Sequence, residues 1–378
     1  MKKIGILTFH KSINYGSVLQ AWALEQILKD YDVVIIDYEP IAYKKIYGLF
    51  YAFRSMKNNI NRILNFNAVI RQIKNFSRFR NKELNLTKSC VAKNINEDYF
   101  KEFDVIVTGS DQIWNVHAED ADDIFFLPYN IKAKKIAYAC SVNNTEFTED
   151  RCTDVLKKCI LDYDFISIRE KSGADRVLQF IDNRKKVYTM LDPTLLNTKE
   201  TFYKITSKRI VQEPYIFLYN VWSGLSAVEA AKKISKLTGL PVYTAMMDPR
   251  IKQIMRIEKN GIKVEKKHTA PEDFLSLINY SEIVITESFH GTAFSLIFEK
   301  KFVCINSRDN AGHLKNDERI INILNIVGLE NRYISMEDIS DFDFKKNIDY
   351  KNVTKKRMDE AALCKSMLIG AIEGNIKS

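Results

Sequence analysis

Short apolar runs bounded by polar loops alternate along this chain with stretches whose apolar residues recur at helical spacing, the pattern of a parallel α/β sheet. In the first half the pattern predicts strands over residues 3–9, 33–37, 104–108, 135–141, 165–168 and 187–191. Helices are predicted over 16–29, 154–163 and 172–180, with Val18, Trp22, Leu24, Ile27 and Leu28 on one face of the first. Pro193 breaks the pattern and polar residues follow Leu196, which marks a domain exit. The alternation then restarts, with strands over 215–221, 241–245, 282–286 and 302–306 and helices over 225–237, 271–279, 291–300, 316–327 and 354–372.

A chain of 378 residues exceeds what one core usually serves. The expected organisation is an α/β domain over 1–195 carrying a helical insertion over 41–90, a second over 205–335, and a terminal helix within 350–378. Ligands of such sheets bind beyond the carboxyl ends of the strands, so a central cleft is expected and the loops that follow strands deserve the search.

Three loops stand out. His10-Lys11-Ser12-Ile13-Asn14-Tyr15-Gly16-Ser17 leaves the first strand and opens a helix, whose amides suit a phosphate or carboxylate; it is neither a dinucleotide fingerprint nor a Walker loop. Gly109-Ser110-Asp111-Gln112-Ile113-Trp114-Asn115 offers an indole face and polar groups to a sugar, or else a capping Asp111 above a packed Trp114. In Thr286-Glu287-Ser288-Phe289-His290-Gly291, a strand end, a following Gly and a neighbouring carboxylate surround His290, the side chain type best suited to proton transfer near neutrality. Arg169 and Arg308, each just after a predicted strand, and Arg319 on the next helix are candidates for anion binding.

The net charge of +9 is concentrated. Residues 41–82 contain ten Lys or Arg and no acid, leaving the rest of the chain near neutral. Interleaved aromatic residues there fit a helical insertion with a solvated face, or alternatively docking on an anionic membrane surface. No nucleic-acid-binding motif accompanies these charges, so nucleic acid is not expected as a partner. The six cysteines and five histidines lack zinc-ligand spacing, so no metal is expected. Without a signal peptide or an apolar run of membrane-spanning length, the expected location is the cytoplasm, with the inner face of the membrane as the peripheral alternative.

The run from Ile6 to Ala21, then Gly109 to Asn115, Asp192-Pro193-Thr194 and Ser288 to Phe294 together resemble, in order, the polysaccharide pyruvyl transferase family, over roughly residues 4–330. The resemblance implies two Rossmann-like domains in a glycosyltransferase B architecture, with the C-terminal helix returning to the first domain. It implies transfer of the pyruvyl group of phosphoenolpyruvate to a galactose-like sugar of a cell-surface polysaccharide precursor, lipid-linked in the membrane reading, with release of phosphate and no cofactor. His290 maps onto the family's histidine, Arg169 onto its donor-binding arginine, and Arg308 is the candidate for a further cationic contact. Asn14, Gly16, Ser17 and Arg319 complete the expected donor side, Trp114, Gln112 and Asn115 the acceptor side, and Asp111 and Glu287 are the candidates for a second acid or base. A nucleotide-sugar glycosyltransferase of the same architecture is the alternative.

Overall fold

The computed structural model describes residues 1–47, 60–143, 145–147, 152–219, 225–246, 251–306, 316–344 and 346–376. Arg308 lies outside the described residues, as do Arg54 and Lys57 of the basic segment and the end of the strand expected over 215–221. The chain divides into two compact units, Met1–Gly48 with Arg80–Asn197 and Asp359–Ser378, and Leu49–Phe79 with Thr198–Met358.

The first unit is built on strands β1 (Lys3–Leu7), β2 (Asp32–Ile35), β5 (Val105–Thr108), β6 (Lys134–Cys140), β7 (Phe165–Ile168) and β8 (Tyr188–Thr189), while β3 (Tyr38–Glu39) and β4 (Cys90–Val91) pair separately. The main sheet runs β2-β1-β5-β6-β7-β8 with every neighbouring pair parallel. Helices Tyr15–Ile27, Asp154–Leu161 and Lys171–Phe180 follow strand ends. Val105–Thr108 and Phe165–Ile168 are buried throughout, as strands covered on both faces require. Ile106, Phe125, Tyr163 and Ile166 belong to the core.

The second unit repeats the plan with β9 (Ile216–Tyr219), β10 (Val242–Ala245), β11 (Lys263–Glu265), β12 (Ile283–Thr286), β13 (Lys301–Ile305) and β14 (Tyr333–Ile334) in the order β11-β10-β9-β12-β13-β14, again all parallel. Its two edge strands are absent from the sequence reading, because short half-buried runs such as Lys263-Val264-Glu265 carry no continuous apolar signal. The helix expected over 291–300 instead spans Phe289–Ile297, so His290 stands inside its first turn.

Most of the basic segment clusters with the second unit, whereas the sequence suggested an insertion of the first domain. Its long helix, Ile60–Glu83, buries Val69, Gln72, Phe76 and Phe79 along one face. Gln72 donates to the Met246 carbonyl (2.5 Å), Asn75 to Thr269 (3.0 Å), and Arg78 pairs with Glu272 (2.5 Å). Arg71, Lys74, Arg78 and Lys82 form the exposed stripe opposite. The terminal helix Tyr350–Glu373 carries the segment Asp359–Ser378 of the first unit, where Glu373 pairs with Lys2 (2.5 Å) and accepts from Tyr31 (2.8 Å). All six cysteines are free thiols. No helix among the described residues is long and apolar enough to cross a membrane.

Candidate active site

The end of β12 is turned into a helix by one side chain. Thr286 Oγ1 donates to the carbonyl of Tyr219 at the end of the neighbouring β9 (2.9 Å) and accepts from the Ser288 amide (3.0 Å). Ser288 is extended (φ −111°, ψ 138°) and starts the helix without a side-chain cap. A Cβ on Gly291 would overlap the Thr286 side chain and meet the Tyr219 ring, which explains the glycine in the first turn. Glu287, Ser288 and His290 are 6%, 9% and 8% exposed, so the strand end delivers a carboxylate and an imidazole into one largely dry corner. The Phe289 ring lies edge-on to His290 at 5.2 Å.

The adjacent strand β13 is followed by Asn306, whose Nδ2 donates to Asn316 (2.8 Å) and whose Oδ1 is buried with no hydrogen-bond partner among the described residues. Arg319, expected on the donor side, instead clamps Asp317 through Nε (2.9 Å) and Nη2 (2.6 Å). Burial pushes the Asp317 carboxyl up, but the guanidinium outweighs it and holds the group below its ordinary range. Asp317, the partner of Arg319, also caps helix Glu318–Val327.

In the first unit the quoted motifs meet in one buried network. Gln20 accepts from the Ser110 amide (3.1 Å) and donates to Thr8 Oγ1 and the Ser17 carbonyl (both 2.9 Å). Ser110 Oγ lies 2.6 Å from the Ala139 carbonyl and accepts from Arg169 Nη2 (2.6 Å). That same nitrogen lies 2.8 Å from Asp192 Oδ2, in an ion pair whose side chains are 2% and 0% exposed. Asp192 Oδ1 receives the amide and hydroxyl of Thr194 (2.9 and 2.6 Å). The Asp-Pro-Thr segment is therefore more than a domain exit, and Arg169, expected to bind the donor, also holds Ser110 in place.

Asn14, Gly16 and Ser17 form the cap of the first helix. Asn14 Oδ1 accepts from the Gly16 and Ser17 amides (2.9 and 3.4 Å), so the first-turn donors expected to hold an anion are engaged by the cap. Trp114 is corrected most sharply. It is fully buried, donates Nε1 to the Phe125 carbonyl (3.1 Å) and stacks on Phe126 at 5.2 Å, leaving no face for a sugar. Asn115 donates to Gln112 (3.2 Å) and receives the His117 amide (3.1 Å), which ties the loop to itself. Asp111, at φ 69°, accepts from the Gln112 amide at Oδ1 (2.9 Å), while Oδ2 is buried without a hydrogen-bond partner among the described residues.

The sequence reading missed a second histidine. His10 is fully buried at the end of β1, with Nε2 2.8 Å from Asp37 Oδ1 and Nδ1 3.1 Å from the Thr8 carbonyl. Burial pushes the imidazole down against the pull of Asp37. Burial also raises Asp37, yet His10 and Lys11 together hold it at about 2. The available signal was position, since His10 directly follows one predicted strand and Asp37 ends the next. Among the described residues no group of three or more His, Cys, Asp or Glu side chains is arranged to hold a metal.

Two all-parallel α/β units are the architecture of the glycosyltransferase B fold, and solved structures agree with that fold. A UDP-GlcNAc 2-epimerase from Methanocaldococcus jannaschii is 13% identical, covering 98% of this chain and 100% of that chain, with a TM-score of 0.52. The trehalose-6-phosphate synthase OtsA is 8% identical over 100% of both chains with a TM-score of 0.55. A UDP-GlcNAc 2-epimerase from Neisseria meningitidis bound to UDP-GlcNAc is 9% identical, covering 99% and 100%, at 0.51. At these identities the likeness shows the fold alone. A search of curated proteins finds no match. The family is nevertheless defined, because the polysaccharide pyruvyl transferase family model matches residues 14–310, most of the chain. The protein belongs to that family and is a transferase.

Two stability predictions follow from the first unit. Asp192→Asn removes the buried carboxylate charge 2.8 Å from Arg169 Nη2 and should cost about 3–5 kcal/mol in chemical denaturation; a loss below about 1 kcal/mol would show that the pair does not hold the network. For Asp37, a depressed carboxyl contributes stability above its unfolded value of about 4 and loses it as pH falls toward about 2. The stability gap between the wild type and Asp37→Asn should be full at pH 7 and close progressively below about pH 4. A gap independent of pH would contradict the pairing.

Proposed function

We propose that the protein moves the pyruvyl group of phosphoenolpyruvate onto two hydroxyls of a galactose-like sugar in a cell-surface polysaccharide precursor, forming a ketal and releasing phosphate. The observation that carries this reading is the strand end of the second unit, where buried Glu287 precedes and buried His290 stands within the first turn of a helix without a side-chain cap. Phosphoenolpyruvate carries a carboxylate and a phosphate, and uncapped helix amides suit such anions. Arg308, following β13, is the cation proposed for the same donor.

The chemistry needs groups that move protons near neutrality. The methylene carbon of the donor gains a proton as one sugar hydroxyl bonds to the adjacent carbon and loses its own. The second hydroxyl then closes the ketal, the carbon–phosphate oxygen bond breaks, and the second hydroxyl proton leaves with phosphate. His290 is assigned the proton transfer at the donor, and Glu287 or Asp111 supplies the second acid or base. No step calls for a cofactor.

The proposed setting is the cytoplasm, where a lipid-linked acceptor would be met at the inner membrane face. The exposed stripe Arg71, Lys74, Arg78 and Lys82 supports peripheral docking there, although Arg78 and Lys82 already pair with Glu272 and Glu83. Sedimentation with phosphatidylglycerol vesicles should be salt-sensitive and weaken in Arg71→Glu/Lys74→Glu; equal binding of wild type and variant would exclude the stripe.

With phosphoenolpyruvate and a panel of galactosides, phosphate release should depend on the acceptor, and His290→Ala should lower it by a factor of about 100 or more with the fold intact. Undiminished release would remove His290 from the reaction. Fold likeness to OtsA favours one rival, sugar transfer from a nucleotide sugar. Thermal stabilisation by UDP-sugars and none by phosphoenolpyruvate would select it.

A further inference from the structure

The first unit contains a polar cluster that the sequence reading did not assemble. After β3 the chain forms the short helix Tyr43–Tyr47, which brings its two tyrosine rings together at 4.7 Å and an interplanar angle of 44°. Tyr47 OH lies 3.4 Å from Asp120 Oδ2, across 73 residues of sequence. Asp120 sits in the loop that continues from the Gly109–Asn115 motif, and Asp111 from that motif acts electrostatically on both Tyr47 and Asp120. The four side chains therefore share one field.

Two atoms in this cluster are buried hydrogen-bonding groups that no described residue satisfies: Asp111 Oδ2 and Tyr43 OH, on residues 6% and 8% exposed. An unsatisfied buried polar group costs roughly 1–3 kcal/mol, a cost that a ligand bearing matching groups removes. A carboxylate oxygen that accepts, a phenol that donates and paired aromatic rings together match a pyranose, with hydroxyls at its rim and C–H groups on its face. Burial lifts the Asp120 carboxyl to about 6, and the charge of Asp111 adds to the effect.

We infer that Tyr43, Tyr47, Asp111 and Asp120 form the subsite that takes the sugar acceptor, an inference that rests on the pyruvyl-transfer reading. Asp111 Oδ2 accepts from one ring hydroxyl, Tyr43 OH donates to another, and the Tyr47–Asp120 pair holds the wall between them. The subsite takes the place of the Trp114 face expected from sequence, since that indole is enclosed by Phe126 and Tyr163.

The test is binding of methyl galacto-, gluco- and mannopyranosides followed by saturation-transfer NMR, with phosphoenolpyruvate stabilisation measured in parallel. At least one pyranoside should bind the wild type. Asp111→Asn and Tyr43→Phe should each raise its dissociation constant about tenfold, the loss of roughly one hydrogen bond. Tyr43→Phe removes only a hydroxyl and serves if Asp111→Asn fails to fold. Variants that bind as wild type does, or a wild type that binds no pyranoside, would overturn the subsite. Sugar binding that weakens in the variants, in a protein that neither binds phosphoenolpyruvate nor releases phosphate from it, would keep the subsite and overturn the pyruvyl-transfer reading instead.

Discussion

Parallel pairing governs where chemistry can sit in this protein. Each main sheet has six strands, all parallel, so within each unit the carboxyl ends share one edge and every loop leaving a strand starts there. Strands such as Val105–Thr108 and Ile283–Thr286 are buried from end to end, which confines polar side chains to the positions where the strand stops. Thr8, Thr108 and Thr286 occupy such places at or just past the strand ends. Asp37, Asp111, Glu287 and His290 follow within a few residues.

Placing a polar group at a strand end is useful only if the turn is fixed. In the second unit Thr286 fixes it with two hydrogen bonds, and Gly291 makes room for that side chain. In the first unit the task falls to a larger network, Thr8, Gln20, Ser110, Arg169, Asp192 and Thr194, gathered from four separate segments. A buried ion pair of this kind repays little of its desolvation cost as net stability. Its value here is positional, because the residue after Ser110 is Asp111, held at φ 69° with one carboxylate oxygen facing inward.

Much of the fold was legible because long apolar runs and helical periodicity are local signals. The central strands and the helices after them fall close to where the periodicity puts them, whereas the edge strands Lys263–Glu265 and Tyr333–Ile334 do not announce themselves. Side-chain fate was less legible. Sequence places Trp114 and Arg169 at strand ends but does not say that one closes over Phe126 and the other finds Asp192. The pairing of Tyr47 with Asp120 depends on a fold that joins residues 73 apart, and no local pattern encodes it.

The proposed pyruvyl transfer rests on the family assignment and on the buried His290 and Glu287, and its product tests it most directly. Mass spectrometry of a galactoside incubated with the wild-type protein and phosphoenolpyruvate should show the acceptor heavier by pyruvate less one water, with NMR placing a single methyl-bearing ketal carbon on two ring oxygens. An acceptor that stays unmodified with phosphoenolpyruvate but gains a hexose from a UDP-sugar would contradict the account.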